Sequence, residues 1–109
     1  MYFIYIIRCE DGSLYTGITN NPQRRLNEHF GQTVKCAKFT RSHKAQALEA
    51  VWSTENRSLA SKLEWNIKQL SRQQKLMLIA DNQRLTEFFG EDSSEKYIRE
   101  DKDKYSAGA

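Results

Sequence analysis

An α+β domain is what the sequence predicts: a small three-stranded antiparallel sheet layered against helices, in the order ββαβαα. Three observations carry that expectation. Residues 2–7 are an unbroken run of aromatic and β-branched side chains, a second such run follows at 14–19 after a glycine-bearing turn, and beyond position 20 apolar residues recur at helical spacing behind capping residues.

The first run, Tyr2-Phe3-Ile4-Tyr5-Ile6-Ile7, is apolar at every position, so both faces of that strand call for cover and it reads as central. Glu10-Asp11-Gly12-Ser13 then supplies a reversal, with Gly12 free to take the positive φ a tight turn demands. Leu14-Tyr15-Thr16-Gly17-Ile18-Thr19 completes an antiparallel hairpin.

Asn21 followed by Pro22 marks a helix start: the Asn side chain accepts an orphan amide, and the missing proline N–H costs nothing in the first turn. Gly31 closes this helix after Phe30. Leu26 and Phe30 fall four apart on its buried stripe, and Arg25 and His29 form a parallel row displaced by one residue, so those two side chains project side by side. Residues 31–44 form a basic connection, expected to be a mobile loop, in which Lys35, Lys38, Arg41 and Lys44 are candidate contacts for a nucleic-acid backbone. His43 in the same stretch is left outside the site.

Strand character returns at 46–54, expected as an edge or third strand, with Leu48, Ala50 and Trp52 on one face and Ala47 and Val51 on the other. A long helix follows with Ser58 as its cap and Leu59, Leu63, Ile67 and Leu70 as its apolar stripe. Glu64 sits at the margin of that stripe, and its i,i+4 neighbour Lys68 offers an ordinary surface ion pair as the rival explanation of the glutamate. Arg24 and Glu28 form a similar i,i+4 pair on the earlier helix. Ser71-Arg72-Gln73-Gln74 matches a capping box, which starts a further helix running to Ala80. Trp52 and Trp65 both occupy spacings that suit the core and are left out of the site.

At 109 residues and 39% hydrophobic, the chain accommodates one domain, placed at 1–82. That body carries twelve Lys or Arg against seven acids and suits a polyanion, whereas 83–109 carries five against seven and reads as an acidic, disordered tail anchored at most by Leu85, Phe88 and Phe89. No apolar run approaches the roughly 18 residues of a membrane span, and residues 2–7 lack a basic leader, so a soluble, cytoplasmic, monomeric protein is expected. Cys9 and Cys36 are too few for a structural zinc site and are expected as reduced thiols.

Phe3-Ile4-Tyr5, one hairpin turn before Tyr15-Thr16-Gly17, resembles the paired Gly-Ile-Tyr and Tyr-Ile-Gly triplets of the GIY-YIG nuclease superfamily, in particular its small stand-alone bacterial members. Arg25 with His29 one helical turn on, and Glu64 on a later helix, match the family's Arg, His and metal-binding Glu in order, so the likeness covers about residues 1–82. The first triplet has Phe3 where the family has glycine, and Ile18 stands where some members have lysine.

The resemblance implies a metal-dependent endonuclease with Tyr5, Tyr15, Arg25, His29 and Glu64 as its catalytic set and Glu64 as ligand to Mg²⁺ or Mn²⁺. A lone carboxylate suits one ion that keeps several waters, and the Arg25 fork suits the attacked phosphate. A phenol with an ordinary pKa near 10 is only about 0.1% ionised at neutral pH, so a tyrosine base needs help, and the residues do not rank Tyr5 over Tyr15 in that role. Lys68 and Lys75 are further backbone-contact candidates. The expected partner is nucleic acid, DNA before RNA, with branched, damaged or single-stranded forms as candidate substrates and a separate protein as a source of specificity. The rivals are a non-catalytic nucleic-acid-binding module on the same scaffold and a protein-interaction adaptor.

Overall fold

The computed structural model describes residues 1–31 and 42–105. Three of the predicted backbone contacts, Lys35, Lys38 and Arg41, and the cysteine at Cys36 lie outside the described residues.

Strands β1 (Tyr2–Cys9) and β2 (Leu14–Thr19) form the expected hairpin, with Gly12 at φ 87° in its turn. Helix α1 (Pro22–Gly31) follows, capped by Asn21, whose Oδ1 accepts the Arg24 N–H at 3.2 Å. Strand β3 (Ala45–Thr54) leads into α2 (Arg57–Gln69) and α3 (Arg72–Ala80), and Ser71 and Gln74 exchange both bonds of the capping box at 3.1 and 2.9 Å. The cap of α2 is Asn56 and not Ser58: its Oδ1 takes the Leu59 N–H at 2.9 Å, so the helix begins as soon as the strand has ended and an acceptor is present.

The sheet has four strands, not three, in the order β2-β1-β3-β4 with every pairing antiparallel. The fourth comes from the segment expected to be a disordered tail, which forms α4 (Arg84–Phe89), α5 (Ser93–Lys96), β4 (Ile98–Glu100) and a closing 3₁₀ turn (Lys102–Lys104). Its anchors are mostly polar, which is why a hydrophobic pattern did not reveal them. Tyr97 is buried and its hydroxyl donates to the Leu59 carbonyl at 2.7 Å, and Ser53 Oγ donates to Glu100 at 2.7 Å. Arg99 lies 5.1 Å over the Trp52 ring and donates to the Leu78 and Ile79 carbonyls near the end of α3. Pairing with β4 makes β3 an interior strand.

Both faces of the sheet are covered. On one, Ile4, Ile6, Ala50 and Trp52 meet Ala60, Leu63 and Ile67 of α2, Leu78 of α3 and Leu85 of α4. On the other, Tyr5, Ile7, Cys9 and Val51 meet Leu26 of α1. Leu48 sits on this second face and not with Ala50 and Trp52, because the β1–β3 register shifts between Ile6 and Ile7, leaving Glu49 as an extra residue that inverts the alternation. No helix among the described residues is long and apolar enough to cross a membrane.

Candidate active site

The site grows from the second face, where β1, β2 and α1 meet. Tyr5 stands opposite Gly17 in the hairpin register, and a methyl group built on Gly17 would lie 2.5 Å from the Tyr5 hydroxyl and 2.6 Å from Cζ. Gly17 is therefore the residue whose missing side chain lets the Tyr5 ring lie across β2; its φ is ordinary, so space and not backbone freedom requires the glycine. Tyr15, two residues earlier on the same face, has its ring centroid 6.3 Å from that of Tyr5.

Helix α1 brings His29 against both rings, with centroids 5.5 Å from Tyr5 and 5.3 Å from Tyr15. The Tyr5 hydroxyl and His29 Nε2 are 2.8 Å apart, and neither residue is appreciably exposed. Arg25, one turn earlier, sets its cation beside Tyr5 and forms an ion pair with Glu28 at 2.9 Å. The acid beside Arg25 is thus Glu28 at i,i+3, where the sequence suggested an Arg24–Glu28 pair, and Glu28 becomes part of the site's surroundings.

Burial, with the neighbouring Tyr15 and the Glu64 charge, pushes Tyr5 well above the usual phenol range, and the Arg25 cation only partly offsets this. Burial and then the Arg25 charge push His29 down to about 4. At neutral pH the pair is therefore a phenol beside a neutral imidazole. With the His29 proton on Nδ1 the Tyr5 O–H donates to Nε2, and with it on Nε2 the imidazole donates to the phenol oxygen.

Glu64 lies on α2, which packs on the opposite face of the sheet, and its charge is the smallest of the influences on Tyr5. Its side chain is 24% exposed and meets Lys68 at 3.4 Å, longer than the roughly 2.7–2.9 Å of a well-formed charge-assisted hydrogen bond. Tyr5, Tyr15 and His29 are thus gathered into contact with the Arg25 cation beside them, and Glu64 acts on them only through its charge. Of the other predicted contacts, Lys44 pairs with Glu10 at 3.7 Å and Lys75 is half-buried on α3. His43 meets Asp11 at 2.6 Å on the hairpin turn, away from the set. A half-open cavity of about 470 Å³ lies elsewhere, between Met1, Thr54, Leu59, Lys96 and Ile98.

Sequence reasoning missed three residues. Gly17 entered only as a motif letter, and the cross-strand register gives its purpose. Glu28 was assigned to the wrong arginine. Trp65 was placed in the core, yet it is 64% exposed one residue beyond Glu64.

The GIY-YIG catalytic domain family model matches residues 1–77. A UPF0213 protein of Fusobacterium nucleatum is 40% identical over 72% of this chain and 77% of its own length. A UPF0213 protein of Desulfotalea psychrophila is 46% identical over 72% and 70%. Among solved structures, the solution structure of a UPF0213 protein from Bacillus halodurans is 37% identical, covering 73% of this chain and 84% of that one, with a TM-score of 0.48.

Proposed function

Because the chain belongs to the GIY-YIG family, we propose that it is an endonuclease that hydrolyses phosphodiester bonds in nucleic acid, DNA before RNA, with Mg²⁺ or Mn²⁺ as cofactor. The observation that carries this reading is the 2.8 Å contact between Tyr5 and a neutral His29, set beside the Arg25 cation.

The donor set fits one ion and not two. Among the described residues no group of three or more His, Cys, Asp or Glu side chains could hold a metal, whereas the partly exposed, loosely paired Glu64 carboxylate suits a single ion that keeps most of its waters. When bound, such a cation supplies positive charge beside the scissile phosphate and offsets the Glu64 charge that raises Tyr5.

The remaining work falls to the chain's own side chains. Arg25 turns its fork to the phosphate, where it stabilises the negative charge that builds as water adds. A phenol held above its usual range does not ionise in advance. Tyr5 instead takes the water's proton on its oxygen while passing its own to His29 Nε2 in the tautomer that leaves that nitrogen free to accept, and the P–O bond opposite the water breaks, its oxygen leaving to take a proton from solvent. The incoming phosphate helps this transfer, because it offsets the Arg25 charge that depresses His29. Tyr15, beside both rings, holds the water or a phosphate oxygen through its hydroxyl.

Plasmid, single-stranded and branched DNA and RNA, each with Mg²⁺, Mn²⁺ or chelator, test the reading against Arg25→Ala and Glu64→Ala. Wild type is expected to cut only with the cation, and each variant to lose about a hundredfold or more in rate, the scale of one transition-state charge contact. Equal cutting by all three proteins, or none by wild type on any substrate, overturns it.

A further inference from the structure

The two tryptophans have opposite environments: Trp52 is fully buried under Arg99, and Trp65 is 64% exposed. A single apolar side chain on a surface is ordinary. The position of Trp65 is not. Successive helix residues turn by about 100°, so Glu64 lies at the edge of the buried stripe of Ala60, Leu63 and Ile67, and Trp65 lies a further turn of about 100° round, on the face of α2 that points away from the sheet. The indole therefore faces solvent on the outer side of the helix that carries the carboxylate assigned to the metal.

Its own helix and the next are cationic. Residues 57–80 hold Arg57, Lys62, Lys68, Arg72 and Lys75, and Glu64 is the lone acid among them. Trp65 is also the one aromatic ring among the described residues that is largely exposed. No apolar rim surrounds it: its helical neighbours at three and four residues are Ser61, Lys62, Lys68 and Gln69. A flat π-face set among cations complements a nucleobase on a polyanionic strand better than it complements an apolar protein patch.

Resting on the proposed nuclease reading, we infer that Trp65 is a stacking platform for an unpaired nucleobase of the bound strand, which makes the substrate class a single strand or an unpaired segment. A base inside a duplex has both faces covered by its neighbours, so an indole cannot lie on it. A base splayed from a single strand offers a free face, and the cations of α2 and α3 then track the adjoining phosphates.

Intrinsic fluorescence tests this on the full chain in chelator, so that no cutting intervenes. Trp52 is shielded, and quenching therefore reports Trp65. Oligothymidylate, oligouridylate and a duplex of equal length are titrated, with labelled strands giving affinities by anisotropy for wild type, Trp65→Ala and Trp65→Phe. Both single strands should quench and the duplex should not, their relative strengths separating DNA from RNA. Trp65→Ala should weaken single-strand binding by about five- to a hundredfold, the range for one stacked base, and Trp65→Phe should recover part of that. Circular dichroism confirms that both variants fold. Salt-dependent single-strand binding that Trp65→Ala leaves unchanged, or quenching by duplex equal to that by single strands, overturns the inference and leaves the nuclease proposal standing. Absence of binding by wild type to every nucleic acid at low salt overturns both.

Discussion

Replacing Gly17 by Ala tests the geometry at the point where it is tightest. The added carbon would lie 2.5 Å from the Tyr5 hydroxyl and 2.6 Å from Cζ, about 1 Å inside the separation at which such atoms pack. Tyr5 has little room to retreat, being 1% exposed and bonded to His29 at 2.8 Å. If the ring swings away, a buried hydroxyl loses its partner, costing about 1–3 kcal/mol. If the strand moves instead, overpacking costs about 1–3 kcal/mol. Either way the loss is about 1–3 kcal/mol, read as a lower urea midpoint at unchanged slope. The control is the same change in a Tyr5→Ala background. There the new methyl group should cost almost nothing, or stabilise by the few tenths that Gly→Ala commonly brings in an extended segment. An equal loss in both backgrounds, or a loss below about 0.5 kcal/mol in wild type, would refute the argument that Gly17 exists to admit Tyr5.

Other outcomes follow from the same contacts. His29, held at about 4 against an ordinary 6.5, binds its proton more readily in the unfolded chain, so its contribution is complete above pH 6.5 and falls away as pH drops through 4. The loss is about 3 kcal/mol, visible as a falling urea midpoint in wild type, and much smaller in His29→Gln; matching pH profiles would contradict it. Tyr5→Phe should fold with stability within about 1–2 kcal/mol of wild type yet cut at least about a hundredfold more slowly, and full activity would remove Tyr5 from the chemistry. Arg25→Lys should recover little of the Arg25→Ala loss, because an ammonium cannot reach Tyr5, Glu28 and a phosphate with one planar fork. Arg99→Ala removes the stacking on Trp52 and two bonds to the end of α3, so a loss of about 1–3 kcal/mol and faster proteolysis of residues 98–105 are expected; an unchanged midpoint would mean that the fourth strand contributes no stability.

Much of this molecule was legible from local signals. The hairpin, the Asn21-Pro22 start and the Ser71–Gln74 capping box are written in residues close together along the chain, and each stands in the structure where those residues place it. The row of Arg25 and His29 was likewise readable from helical spacing. What local signals did not carry was long-range pairing. The strand Ile98–Glu100 has almost no apolar content and is held by Ser53, Trp52 and two helix carbonyls far away in sequence, so a composition-based reading took it for disorder. The bulge at Glu49 changed the face of Leu48 without any glycine or proline to announce it. Trp65 went astray because helical spacing says which residues share a side, and only the packed neighbours decide which side is inside.

The account depends on side chains from β1, β2, α1 and α2 surrounding one place where a divalent cation and a phosphate meet. Mn²⁺ titrated into isotopically labelled protein tests that placement directly, because the ion broadens only the amide signals near it. Broadening should begin at Glu64 and extend to Tyr5, Tyr15 and Gly17, and should vanish in Glu64→Gln. Broadening centred on the acidic residues 91–103, persisting unchanged in Glu64→Gln, would contradict it.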